Sequence, residues 1–534
     1  GADYNVAIGE DAMGTGTTTD ATYNVAIGYK SLEDITTGDY NTSVGAHSME
    51  ELTDGVRNAA LGWSSLKTNV SGDYNTGLGM YALYSNTTDS NTGVGYAAGM
   101  YTTGADNTYV GYRAGHGAPG AEANNVGVGS SALLAITTGA TNVAIGKDAM
   151  LAATACGTNI AIGAEALKAI AVEEENNIAI GVGAMYLMDE GTAGGDIDFN
   201  IAIGRNALIG GDLAGNDRQV QGNIAIGYQA LYATSTNAQT GTIAIGHQAL
   251  TALTSGGYNT VVGHQAAQAL TLGGSNTVIG YQALYNMVGA TDATDGGNFN
   301  IAIGRSAMEG VNNDGHANCE QDGNIAIGYT ALTGGTLAGD KDLVGNIAIG
   351  HNAMNSTGTN AQTGTIAIGH EALTALTSGA GNTAVGYQAL QTTATGQYNT
   401  AVGYQAADVL PDGAQSNTAI GYGALGAGNN ASTDFNTALG EGAGGNITTG
   451  LKNTLLGASS ATGAVGSDNQ TAIGYNCTAV NVDDTITLGN ADVTAVYMSQ
   501  DSGATVHCAG IQFPATQAAS ADANNLDDYE EGTW

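Results

Sequence analysis

Asn223-Ile224-Ala225-Ile226-Gly227-Tyr228-Gln229-Ala230-Leu231 is one copy of the unit that decides the fold. The pattern Asn-(Val/Ile/Thr)-Ala-(Ile/Val)-Gly-(Tyr/His)-x-Ala-(Leu/Met) also stands at Asn5 to Met13, Asn24 to Leu32, Asn142 to Met150 and Asn382 to Leu390. Counted by the central glycine, 26 copies run from Gly9 to Gly474, among them Gly28, Gly45, Gly62, Gly146, Gly204, Gly246, Gly304, Gly369 and Gly421. A degenerate copy stands after them at Thr485 to Gly489. The glycines are usually 16 to 19 residues apart, and 22 to 24 apart between Gly181 and Gly227 and between Gly280 and Gly350. A period of this kind means stacked units that share one continuous core, not a series of independent domains.

Each column of the repeat has a physical reading. The residue before the glycine is Ile, Val or Leu in all 26 copies, and the residue three before it is Val, Ile, Thr or Ala. On a strand these two point the same way, so they are expected to fill the core. The Ala between them is expected to lie against close-packed backbone. Glycine is required where φ is positive or where backbones approach closely, and a corner repeated in every coil supplies both reasons. The Asn column is filled in 23 copies, with Thr242, Thr365 and Gln470 as exceptions. Stacked Asn side chains can bond to one another and to turn backbone along the axis. Further on, the third position after the glycine is always Ala, Ser or Cys, and the fourth is Leu or Met in 19 copies. Asn237 to Gly256 and Asn360 to Gly379 differ only at Gln248 against Glu371, a sign of growth by copying blocks of coils.

Composition agrees with a stacked β fold. The 534 residues include 84 Gly but only 3 Pro, and Gly does not recur every third residue, which excludes collagen. With 43% hydrophobic and 11% charged residues, the chain does not have the balance of a disordered one. The formal net charge of −37 makes nucleic acid and anionic membrane surfaces poor partners, because phosphate binding needs clustered Lys and Arg. No apolar run is long enough to predict a transmembrane helix. The opening Gly-Ala-Asp-Tyr-Asn already lies inside a repeat, which predicts no leader peptide and a fragment or processed chain. Cys156, Cys319, Cys477 and Cys508 form no C-x-x-C pair, so neither zinc nor redox chemistry is expected, and Cys477 stands in the small-residue column as a buried thiol.

The fold expected is therefore all-β: a parallel β-solenoid of about 27 short coils over residues 1–489, on the order of 130 Å long, with a connector at 490–534. Surplus residues in the long coils are expected to form lateral loops at 186–199, 209–222, 286–299, 309–323 and 333–345. Loops on a rigid scaffold are where binding concentrates. Asp196, Asp198, Asp212, Arg218, Asp292, Asp314, Asp340 and Lys341 are the candidate binding residues there. A Tyr or His often comes after the glycine, as at Tyr29, Tyr96, Tyr228, Tyr281, Tyr387, Tyr404, His247, His264, His351 and His370. The favoured reading is a stacked column covering the turn, with polar ends in water. His247 with His264, and His351 with His370, stand on neighbouring coils but lack further ligands, so no metal or other cofactor is expected. A coil of about 17 residues cannot bury both faces of its strands. It is expected to leave an Ala and Thr stripe, which a parallel homotrimer would cover.

The Asn-x-Ala-Ile-Gly motif resembles the head repeat of YadA-type trimeric autotransporter adhesins over residues 1 to 490, which implies a left-handed parallel β-roll packed as a trimer. The repeat here is longer than that family's. The segment from Leu488-Gly489-Asn490-Ala491-Asp492 through Gly510-Ile511-Gln512-Phe513-Pro514 to Asp528-Tyr529-Glu530-Glu531-Gly532-Thr533-Trp534 resembles the region after the repeats in bacteriophage tail-fibre and virion-fibre proteins. This resemblance implies a structural fibre located on the virion. Its expected partners are further copies of itself, other virion or tail proteins, and a host-surface glycan or protein receptor. The alternative is a bacterial cell-surface adhesin head or filament subunit. A polysaccharide-cleaving tailspike would need paired carboxylates on a groove. Asp196, Asp198, Asp212, Asp217, Asp292, Asp295, Asp340 and Asp342 scatter instead through loops, so no enzymatic activity is expected.

Overall fold

The computed structural model describes residues 2–14, 18–188, 196–211, 219–233, 239–288, 297–310, 320–334, 342–358, 361–427 and 433–496. These residues are all-β, with no helix among them. Each repeat contributes one three-residue strand, from Val6–Ile8 to Ile486–Leu488. All 27 of these strands join a single parallel sheet. Successive coils pair in strict register, column on column: Val143 with Ile160, Ala144 with Ala161, Ile145 with Ile162. The long coils stay in register too, as Ile178–Ile180 does with Ile201–Ile203. Two short extra pairings, Val220–Gln221 with Gln239–Thr240 and Leu343–Val344 with Gln362–Thr363, each join the start of a copied block to the coil before it. The chain is thus a parallel β-solenoid, as the repeat predicts.

The strands face the opposite way from the sequence expectation. The central Ala points inward and is fully buried, as at Ala26, Ala144, Ala225 and Ala419. The bulkier flanking residues point out: Leu61 is 52% exposed, Ile145 39% and Leu439 43%. The interior bulk comes from the turn instead. Leu32, Met49, Leu66, Met150, Leu167 and Leu231 are completely buried, together with the small residue preceding each of them in the chain. The Leu or Met opposite the strand fills the space facing it, in many coils beside a second buried large residue three positions on, such as Ile35, Leu52, Ile136 or Ile170. In most coils the strand then supplies only a methyl group. Fully burying each Leu contributes roughly 1.5–3 kcal/mol, and the array propagates that gain coil by coil.

Those buried Leu and Met residues sit in left-handed backbone. Leu32 has φ of 53° and Lys30, two residues earlier, 56°. Left-handed residues other than glycine cost roughly 1–2 kcal/mol each. Stacking holds them in place: Lys30 N–H donates to Glu10 O at 3.0 Å and Leu32 N–H to Ser48 O at 3.1 Å. The corner glycine serves both purposes read from the sequence. Gly28 has φ of +136°, and a Cβ there would lie 2.5 Å from the Gly45 carbonyl oxygen.

The Asn column is a buried hydrogen-bonded ladder. Asn41 N–H donates to Asn24 Oδ1 at 2.8 Å, Asn58 N–H to Asn41 Oδ1 at 2.9 Å, and Asn41 Nδ2 to Gly55 O at 2.8 Å. Asn5, Asn142 and Asn223 make the same bonds, and Asn382 Oδ1 accepts from Asn399 N–H. Each side chain therefore satisfies two backbone groups of the next coil. The ladder is interrupted where the block was copied. Thr242 and Thr365 N–H donate to Oδ1 of Asn223 and Asn346 in the coil before them at 2.9 and 3.0 Å, but their buried hydroxyls have no partner. Thr242→Asn and Thr365→Asn are expected to close these gaps, each adding about 0.5–1.5 kcal/mol per hydrogen bond gained. Slower amide exchange at Asn259 and Asn382 would register the gain. Unchanged exchange in both variants would show that the breaks carry no cost.

Candidate functional site

The five lateral loops fall mostly outside the described residues, and Asp212, Arg218, Asp292, Asp314, Asp340 and Lys341 lie there, as do Asp217 and Asp295. The described candidates have structural employment. Asp198 Oδ1 accepts the Glu175 N–H at 2.7 Å, and burial raises its carboxyl above the usual range. Asp196 accepts from Gln221 Nε2 at 3.0 Å. Asp342 accepts the Glu320 N–H at 3.1 Å. The same device recurs at Asp39, Asp73, Asp322, Asp434 and Asp468, each taking a backbone N–H of the preceding coil. These carboxylates cap loop backbone rather than converge on a groove.

The column after the corner glycine is more ordered than its sequence alone indicates. Tyr228, His247, His264 and Tyr281 stack with ring centroids 5.1, 4.9 and 5.4 Å apart. Tyr329, His351, His370, Tyr387, Tyr404 and Tyr422 stack at 5.2, 4.9, 5.2, 4.8 and 5.5 Å. Arg305 joins the two runs, its guanidinium carbon 5.6 Å from the Tyr281 ring centre and 5.7 Å from that of Tyr329. Parallel strand spacing of about 4.8 Å sets this distance, and the flat side chains keep to it. The ladder keeps one ring face on the next, so its edges meet water.

A parallel row of amides runs beside it. Gln248 Nε2 donates to Gln229 Oε1 at 3.2 Å, Gln265 to Gln248 at 3.3 Å and Gln282 to Gln265 at 3.0 Å. In the later block Glu371 Oε2 accepts from Gln388 and Gln391 at 2.8 and 2.9 Å. That carboxylate is 3.9 Å from His370 Nδ1, but the two amides already engage it. Among the described residues no three His, Cys, Asp or Glu side chains gather closely enough to hold a metal ion. A second aromatic column precedes the Asn: Tyr4, Tyr23 and Tyr40 stack at 4.9 and 5.1 Å, and Arg57 lies between Tyr40 and Tyr74. The intercalated arginines escape a reading by columns because neither fits its column's type; their signal is an Arg flanked one repeat away on each side by Tyr.

The two described cysteines are buried free thiols. Burial pushes the Cys156 thiol up to about 12, which leaves no thiolate for chemistry at neutral pH. Cys477 fills the small-residue column, as expected from its position. Cys319 and Cys508 lie outside the described residues. Compared with known proteins, the chain matches no family model and no curated sequence.

Proposed function

We propose that this chain is the shaft of a phage tail fibre or virion appendage, a non-enzymatic rod that holds a host-binding element away from the particle. In this reading the rod is a parallel homotrimer, its solenoid the left-handed β-roll that the resemblance implies. The observation that carries the proposal is the outward strand face. One Ile, Val or Leu per coil, with a Val, Ile, Ala or Thr two residues before it, forms an uncharged strip along the sheet. Ile27, Leu61, Ile145, Ile203, Ile279, Ile368, Leu439 and Ile473 are all exposed on it. The strip is aliphatic rather than the Ala and Thr stripe expected from sequence, which strengthens the case for a covering partner. A contiguous apolar strip of this length is an association surface. Its repeat matches that of another solenoid of the same pitch, and cyclic packing of three copies closes the assembly.

Native mass measurement tests this. A mass of three chains, unchanged on dilution, is expected. Ile145→Asp combined with Ile162→Asp places charges on the strip and is expected to shift the population toward single chains. A monomeric parent, or a ladder of ever-longer species, would overturn the trimer.

A further inference from the structure

The strip just past the corner glycines holds more chemistry than the fold requires. From Arg205 to Tyr422, twelve successive coils place only Tyr, His or Arg one residue after the glycine. The neighbouring column over the same coils, Asn206 to Gly423, holds one acid, Glu371. Elsewhere the chain is strongly acidic, with 48 Asp and Glu against 11 Lys and Arg. This strip, with two cations and one carboxylate in its two columns and Glu309 and Asp408 in the column three residues further on, is thus far less acidic than the chain as a whole.

We propose that this strip binds a linear anionic polysaccharide lying along the fibre axis. The inference rests on the reading that the fibre meets a host glycan, but it places that contact on the shaft. Three features carry it. First, the strip presents phenolic O–H, imidazole and amide groups at ring-to-ring steps of 4.8–5.5 Å, similar to the advance per sugar of an extended glycan. A polymer with a repeat near that step meets a hydrogen-bonding side chain at each rung. Second, Arg305 is held between Tyr281 and Tyr329, which leaves its planar fork of N–H donors for a carboxylate or sulfate. Third, carboxylates are few along these columns, which lessens the repulsion that an anionic chain would meet over the more acidic surface elsewhere.

The same geometry selects against other linear ligands. Ring faces are packed on one another, so nucleic-acid bases find no open face on which to stack. A neutral glycan that relies on ring-face contact is disfavoured for the same reason. Tyr228, Tyr281, Tyr387 and Tyr404 are nonetheless 38–47% exposed, so their edges are reachable.

The test uses the full chain with four immobilised probes: polygalacturonate, heparin, cello-oligosaccharide and single-stranded DNA. Binding to one or both acidic glycans is expected, weakened by salt and at least tenfold weaker in Arg305→Gln. Arg57→Gln supplies the control, since Arg57 is stacked between tyrosines in the same manner but on the other column, close to Asp39 and Asp73 in the chain. Its binding is expected to match the parent. No binding to either acidic glycan, stronger binding to cello-oligosaccharide or DNA, or equal losses in the two arginine variants would overturn the proposal. Native mass of each variant is read in parallel. An intact trimer that ignores the acidic glycans removes this site and leaves the shaft reading standing.

Discussion

Tyr109→Ala is expected to cost about 3–5 kcal/mol, the usual range for deleting a buried aromatic side chain. Tyr109 occupies the central inward position of its strand, Thr108–Val110, where nearly every other coil has Ala or Gly. It is fully buried. The space it fills was made by its neighbours. Gly99 and Gly115 stand where the repeat normally has Leu or Met, and Gly127 replaces the inward Ala of the next coil. A Cβ on Gly99 or on Gly127 would come within 3.0 Å of the Tyr109 ring, and one on Gly115 would collide with it. One ring thus replaces two large side chains and a methyl group. Without it, two successive coils would have neither ring nor leucine, and the in-register sheet above and below prevents collapse. Because a solenoid can open locally, amide exchange is the proper measure, read at Thr92–Val94, Thr108–Val110 and Val126–Val128. Faster exchange confined to these strands is expected. Protection equal to the parent would refute the argument.

That exception shows what a column reading can and cannot reach. The strand positions, the corner glycine and the Asn ladder were legible because each depends on local backbone demands that only one residue type meets. Gly28 is the clearest case, with positive φ and an approaching carbonyl in one place. The facing of the strand was not legible from the strand itself. Val143-Ala144-Ile145 alternates equally well in either direction, and hydrophobic bulk favours the wrong one. The deciding information sits five residues beyond Ile145, at Met150, whose buried side chain takes the space facing the strand and is matched by the small inward Ala144. A strand of three residues carries too little pattern to reveal its own inner face. The ladder from Tyr228 to Tyr422 was half legible. Its column was visible, but the insertion of Arg305 and the partnering glutamines depend on stacking distance, which only the coil pitch sets.

The coil that holds Tyr109 is also expected to respond to pH, in the direction opposite to an ordinary salt-bridged carboxylate. Glu122 lies in the inward column three residues before the Asn, and its backbone carbonyl accepts Asn107 Nδ2 at 3.1 Å. Its side chain is buried, 1% exposed, with no hydrogen-bond partner for Oε2. Burial raises its pKa to about 7 from an ordinary 4.5. The folded coil therefore binds the proton more tightly than the unfolded chain does. The stabilisation is fully present below about pH 4.5, declines as pH rises and is lost above about 7. A shift of this size corresponds to about 3 kcal/mol. Glu122→Gln keeps the shape and removes the titration, so the difference between parent and variant isolates this group from the other carboxylates. Local exchange protection at Thr108–Val110, corrected for the intrinsic pH dependence of exchange, is expected to fall between pH 5 and pH 8 in the parent and to stay flat in Glu122→Gln. Parallel slopes in the two proteins would exclude Glu122 as the source. The hydroxyls of Tyr109 and Thr102 are also buried without partners in this coil. Opening it by Tyr109→Ala should admit water to the carboxyl and lower its pKa toward the ordinary value. The pH slope is then expected to shrink in Tyr109→Ala, which makes the two substitutions non-additive above pH 7.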